Sequence, residues 1–263
     1  MNFKFKISDF SLDNTLNSGQ CFRFYKIKKD KFLVFAGLHS SYIIQKKEYL
    51  YFEESDCCEK FWKRYFNLDV DYKFLYKNFI GDKVLEKLLK KCYGMRILKQ
   101  DIFECLISFI LSINNNIKRI QKIIEILCEN FGVRNKNGFS FPCVDVLCQF
   151  NEKDFEILRA GFRVKYLLDA IYKVKNGEIS LENICCLDFK EAKMQLKKIK
   201  GVGEKVANCV LLFAYNRMES FPIDVWIKRV VEEYYKNGLT EQVLSCPGLA
   251  QQFLFFGKRN KYI

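Results

Sequence analysis

Apolar and polar residues alternate along the first fifth of the chain. Phe3-Lys4-Phe5-Lys6-Ile7, Cys21-Phe22-Arg23-Phe24-Tyr25, Phe32-Leu33-Val34-Phe35 and Tyr42-Ile43-Ile44 follow one another up to about Phe52, separated by Asn/Ser/Gly or Lys/Asp turns. Successive strand side chains point to opposite faces, so this period of two predicts an antiparallel sheet. From Glu59 the spacing becomes helical. Phe61/Tyr65 and Val84/Leu88 are one turn apart, and longer apolar stripes cover 102–113, Ile117–Phe131, Asp154–Leu158, 166–174, 191–198, 204–215 and 225–235. The pattern predicts an α+β protein, with a sheet domain and flanking helices over 1–98 and a mostly helical domain over 99–263. The break falls near 95–101, without a flexible linker, and no internal repeat interrupts the pattern.

Composition narrows the partners. At 263 residues and 49% hydrophobic content the chain can bury a sizeable core, and its net charge of +13 points to a polyanion, although an AT-rich coding sequence also inflates lysine. Twelve cysteines are scattered without a CxxC pair or a ligand-like cluster, which favours a reducing compartment over a disulfide framework. The N-terminal residues lack an apolar signal core, and no run of ~18 apolar residues exists to cross a bilayer. A soluble, cytoplasmic protein with no membrane partner is expected.

The densest chemistry lies at 196–205, LKKIKGVGEK. Gly201-Val202-Gly203 separates two helical patterns, and a glycine turn before a helix offers backbone N–H groups to a phosphate. Lys197, Lys198 and Lys200 add charge there. Lys205 sits in the first turn of the second helix, Cys209 is one turn on, and Asp224 comes later, inside Phe221-Pro222-Ile223-Asp224-Val225. On residue type alone, Lys205 suits a phosphate contact, Asp224 an ordinary helix N-cap, Ser18-Gly19-Gln20 a turn between strands and Phe255 the core.

Hairpin, lysine and downstream aspartate together resemble the helix-hairpin-helix–Gly/Pro–Asp superfamily of DNA base-excision glycosylases. Within it, nearly the whole chain looks like an 8-oxoguanine DNA glycosylase. The matching residues are Asn17-Ser18-Gly19-Gln20-Cys21-Phe22-Arg23, Tyr65-Phe66-Asn67-Leu68-Asp69, Gln100-Asp101 with Glu104-Cys105-Leu106, and Ser112 with Asn114-Asn115-Asn116-Ile117. Gly161-Phe162-Arg163, Gly201 to Ala207 with Cys209, Asp224, and Ala250-Gln251 with Leu254-Phe255 complete the series.

The resemblance implies roles for these positions. Lys205 would attack the sugar as an amine, displace the damaged base through a Schiff base and cleave the abasic site by β-elimination. Asp224 would face the positive charge that grows as the glycosidic bond breaks. The flipped base would lie between Cys209 and Phe255, near Phe213, with Gln251 at its Watson–Crick edge. Gly19 would offer a carbonyl to the N7–H that 8-oxoguanine has and guanine lacks. Asn114 would fill the gap, Phe162 would wedge the stack, and Arg119 and Arg163 would read the estranged cytosine. Gly201, Gly203 and Trp226 would meet the DNA backbone.

Only Cys246 comes after Cys209, so the four-cysteine iron–sulfur loop of some relatives is excluded and no cofactor or metal ligand is expected; a structural cation beneath the hairpin stays open. Phe162, Trp226 and Phe213 depart from the family's usual Tyr, His and smaller apolar residue. The expected partner is duplex DNA carrying 8-oxoguanine, preferably opposite cytosine, bound by a monomer. The short stretch before the SGQ motif suggests a bacterial or archaeal enzyme associated with the nucleoid. Two rivals are a glycosylase for another damaged base and a non-catalytic helix-hairpin-helix DNA-binding protein.

Overall fold

A computed structural model describes residues 1–263. The sheet contains β1 (Phe3–Lys6), β2 (Phe24–Lys28), β3 (Lys31–Ala36), β4 (His39–Lys46) and β5 (Tyr49–Glu53). All pairs are antiparallel, in the order β1-β5-β4-β3-β2. Three tight connections account for the run β2 to β5. β1 reaches the far edge because α1 (Leu12–Asn17) is inserted between the first two strands.

That insertion corrects the alternation read from the sequence. Cys21-Phe22-Arg23 is not strand; β2 begins at Phe24, and the connection through Ser18-Gly19-Gln20 leaves a helix rather than a strand. The cause is the fully buried Gln20 amide. Its Nε2 donates to the carbonyls of Thr15 (3.2 Å) and Arg96 (2.8 Å) and to Ser18 Oγ (2.8 Å), while Oε1 accepts from Leu98 N at 2.7 Å. Four partners hold the segment out of the ladder, and burying the amide without them would be costly.

The helical part comprises α2 (Glu59–Tyr65), α3 (Tyr72–Lys77), α4 (Lys83–Cys92), α5 (Ile102–Leu111), α6 (Ile117–Phe131), α7 (Val144–Leu147), α8 (Arg163–Lys175), α9 (Phe189–Lys197), α10 (Glu204–Phe213), α11 (Val225–Tyr234), α12 (Glu241–Ser245) and α13 (Pro247–Arg259). Asp154–Leu158 is a 3-10 turn, and Arg134–Asn135 with Gly138–Phe139 form a small hairpin of β6 and β7. Starts obey cap chemistry: Asp82, Asp101, Asn116, Asp188 and Asp224 each accept a first-turn backbone N–H.

Two hydrophobic clusters form. The smaller packs Phe5, Phe32, Ile43 and Phe52 of the sheet against Trp62, Tyr65 and Phe66. The larger holds most of the helices and takes in Tyr72, Tyr76, Phe79, Leu85 and Leu88, which lie against α13 through contacts such as Phe79–Phe253. The two clusters interleave along the chain: α3 and α4 pack with the later helices, Phe22 joins the larger cluster and Leu98 the smaller. No helix is long and apolar enough to cross a membrane.

Sheet and helices are fastened by a buried ion pair. Arg23 Nη1 lies 3.3 Å from Glu104 Oε2 at the start of α5, and that oxygen also accepts from Gly37 N at 2.6 Å. Burial pushes the Glu104 carboxyl up to about 7 despite Arg23. A carboxyl raised in the folded state contributes stability that is complete below the unfolded value and lost as pH rises through about 7. Stability should fall between about pH 4.5 and 7 in denaturant titrations and level off above that, and Glu104→Gln should flatten the fall. Glu104→Ala strands the Arg23 guanidinium and should cost about 3–5 kcal/mol.

Candidate active site

A cavity of about 460 Å³ opens between α5, α10, α11 and α13, floored by the loop after α1. Its walls include Lys205, Asp224, Gly19, Cys209, Phe213, Gln251, Phe255 and Trp226. Eight residues singled out from the sequence, spread from position 19 to 255, thus meet in one place. Asn114, Arg119, Phe162, Arg163, Gly201 and Gly203 lie outside it.

Lys205 is half-buried in the first turn of α10. Its Nζ donates to Ser112 Oγ at 3.0 Å and sits 5.1 Å from the centroid of the Phe109 ring. Ser112 in turn donates to Phe109 O at 2.7 Å. The hydroxyl proton is committed, so Ser112 can only accept from Lys205. Phe109 also stacks on Phe213, with centroids 5.4 Å apart and planes at 19°. Phe109 had no role in the sequence pattern, and Ser112 only a place in a matching motif; their sole physical signal was the apolar run just before Asn116.

Asp224 caps α11, its Oδ1 accepting from Ile227 N at 2.9 Å. Its second carboxylate oxygen has no side-chain or backbone partner, so cap and site roles coexist. Cys209 is buried beside Lys205, and burial pushes its thiol up to about 11 even though the lysine pulls the other way. At neutral pH it is an uncharged wall. Gln251 donates through Nε2 to Pro222 O at 3.0 Å, while its buried Oε1 has no hydrogen-bond partner.

Gly19 has φ +84°, and a Cβ there would stand 2.8 Å from Arg259 Nη1 and 2.9 Å from Phe255 Cε1. Backbone conformation and crowding both require glycine.

The hairpin joins α9 to α10. Gly201 has φ +81°, and a Cβ would strike the Tyr166 ring at 2.4 Å. Gly203 differs from the expectation that both glycines serve the turn: its φ is −92°, and a Cβ would meet nothing within 4 Å. As N-cap of α10 it has no side chain to bond the first-turn N–H groups, which stay open to an outside acceptor. The surrounding charge is also less free than the lysine count suggests. Glu204 binds Lys193 at 3.1 Å and closely pairs with Lys197, and Lys200 lies 3.7 Å from Asp169.

Arg163 is the clearest correction. Expected to present its guanidinium to an estranged base, it is only 4% exposed and gives its donors to Ile113 O (2.6 Å), Asn114 O (2.7 Å) and Ala160 O (3.1 Å). A buried guanidinium needs such acceptors. Arg163 thereby braces Asn114, which adopts φ +46° and projects from an exposed turn. Phe162 beside it is 49% exposed and lies under the Arg163 guanidinium at 4.5 Å. Arg119 is exposed, with one weak bond to Arg159 O at 3.2 Å.

An amine and a carboxylate at the rim of an apolar slot with flat walls, next to a helix hairpin with unsatisfied N–H groups, define a DNA glycosylase of the helix-hairpin-helix class. Residues 2–106 match the 8-oxoguanine DNA glycosylase N-terminal domain. The N-glycosylase/DNA lyase of Saccharomyces cerevisiae is 31% identical over 89% of this chain and 72% of its own. Among solved structures, MBOgg1 in complex with a low-affinity DNA ligand superposes with a TM-score of 0.92 at 35% identity, covering 99% of this chain and 96% of that one. The Clostridium acetobutylicum 8-oxoguanine glycosylase/lyase, bound to double-stranded DNA with cytosine opposite 8-oxoguanine, gives 0.91 at 34% identity over 100% and 99%. The chain belongs to the 8-oxoguanine DNA glycosylase/lyase family.

The two hairpin glycines should separate experimentally. Gly201→Ala should lower the thermal midpoint and weaken duplex binding together. Gly203→Ala should leave the midpoint unchanged while weakening affinity for any duplex, damaged or not, as titration calorimetry can read.

Proposed function

We propose that this enzyme removes 8-oxoguanine from duplex DNA with Lys205 as nucleophile and Asp224 as the charge that steadies the departing sugar. The observation that carries the assignment is the convergence of both residues, the Gly19 loop and the Cys209–Phe255 slot on one cavity.

The flipped base enters between Cys209 and Phe255. Its N7–H donates to the Gly19 carbonyl, and its Watson–Crick edge donates to Gln251 Oε1. Guanine presents a lone pair at N7 and is repelled by the same carbonyl. Lys205, as a free amine, attacks C1′; the bond to N9 breaks, its electron pair leaves with the base, and the base takes up a proton. The Asp224 carboxylate faces the sugar while positive charge develops there, an interaction stronger in the transition state than before it. The ring oxygen leaves C1′ and gains a proton as the Schiff base forms. Loss of a C2′ proton then expels the 3′ phosphate and cuts the strand. On the duplex side, Asn114 fills the vacated position, Phe162 wedges the stack and Arg119 reads the estranged base.

Borohydride should trap wild-type protein on duplex containing 8-oxoguanine, and Lys205→Gln should bind the duplex but give no adduct. Asp224→Asn should keep the helix cap and the damaged-DNA affinity while single-turnover excision drops by orders of magnitude. Equal trapping by the lysine variant, or lost activity explained by unfolding of the aspartate variant, overturns the assignment.

Partner choice rests on Arg119, whose fork suits the O2 and N3 acceptors of cytosine. One charged hydrogen bond is worth roughly 1.5–3 kcal/mol, so excision opposite cytosine should exceed that opposite adenine by about one to two orders of magnitude. Phe162 can stack but not donate, which places the ratio at the lower end. Single-turnover rates opposite all four bases, for wild type and Arg119→Ala, check this; a flat wild-type profile or an unchanged variant profile removes Arg119 from the reading.

A further inference from the structure

The loop carrying Gly19 is held in an unusual way. The Asn17 carbonyl accepts from Arg259 Nη2, the Ser18 carbonyl from Gln252 Nε2 at 2.7 Å, and the Gln20 carbonyl from Gln100 Nε2 at 2.7 Å. Each donor is a side chain from a distant part of the chain. The Gly19 carbonyl, between them, accepts no hydrogen bond.

Gln252 is 2% exposed and Gln100 9%, so these bonds form away from water, where a lost partner leaves a costly unpaired carbonyl. Arg259 adds a steric limit: its Nη1 is buried, makes no hydrogen bond and stands against the Gly19 backbone, while the guanidinium lies 5.3 Å from the Phe255 ring. Gln252 and Arg259 both come from α13, which also supplies Gln251 and Phe255 to the cavity.

We infer that Gln252 and Arg259 are positioning residues for base recognition, holding Gly19 so that its carbonyl is the one free acceptor between Asn17 and Gln20. With the carbonyls on either side bonded, the loop cannot offer an adjacent oxygen to a wrong donor, nor turn Gly19 away from N7–H. Discrimination between 8-oxoguanine and guanine is then set by the last helix as much as by the glycine itself. The inference rests on the reading of Gly19 as the N7–H acceptor.

The two strand-cutting steps separate this role from a general structural one. Excision of 8-oxoguanine needs the base pocket; cleavage of a duplex with a preformed abasic site uses Lys205 but has no base to position. Gln252→Met and Arg259→Met keep linear apolar stems and remove the donors. Each should slow single-turnover excision roughly tenfold and narrow the ratio of affinities for 8-oxoguanine and guanine duplexes, with abasic-site cleavage unchanged. Equal loss of both activities means the residues only support the fold, and loss of neither means the loop holds itself; either result overturns the inference. Gly19→Ala, run alongside, keeps the two readings apart. If it excises 8-oxoguanine at the wild-type rate, the Gly19 reading fails and the inference with it. If it is slowed while both methionine variants are not, the clamp alone fails.

Discussion

The side-chain amide of Gln20, wholly buried, fixes the relation between sheet and helices on which the site depends. By binding Thr15, Ser18, Arg96 and Leu98 it sets the loop after α1 against the segment that leads into α5. The same segment delivers Gln100 to the Gln20 carbonyl and then, through α5, Phe109 and Ser112 to Lys205. Base pocket and nucleophile are therefore positioned from one junction. Arg96, 1% exposed and bonded to Asp9 at 2.8 Å and to the Asn67 and Val70 carbonyls, makes that junction rigid from the other side.

Charge is used sparingly inside this basic chain. Apart from Lys205, Asp224, Lys118 and Arg259, the cavity walls are neutral: the Cys209 thiol kept protonated by burial, the Phe109–Phe213 stack and the Gln251 amide. On the proposed assignment, Lys205 and Asp224 face largely apolar walls, where a charge that develops during reaction is felt strongly. Several lysines near the hairpin are paired with Glu204 or Asp169, while the backbone N–H groups at the start of α10 have no capping side chain.

Legibility in the sequence tracks periodicity. Strand β1 alternates and β3 and β4 carry short apolar runs between turns, so all three were legible, and Ile117–Phe131 was read to the residue because its apolar stripe is one-sided and Asn116 caps it. Helix α1 was invisible: six residues, mostly polar, carry too little pattern. Helix α13 escaped for the opposite reason. Leu249, Ala250, Phe253, Leu254 and Phe256 are buried on nearly all sides, so no stripe distinguishes helix from strand. Motifs brought Lys205, Asp224 and Gly19 into view, but residue type alone cannot say where a guanidinium spends its donors. Arg163 proved to brace a loop, and Gln252 and Arg259 belong to no recognisable motif.

Helix α13 also divides the enzyme's abilities along the chain. The hairpin, Lys205, Ser112 and Asp224 all precede it and are held by α5, α10 and α11. The aromatic wall, the Gln251 acceptor and two of the loop's three fastenings arrive only with the final helix. On the proposed assignments, a substitution that shifts α13 leaves the lysine in place and disturbs the surfaces that choose the base. Fidelity and chemistry are, on those assignments, carried by different helices, and changes confined to α13 would degrade fidelity before they degraded chemistry.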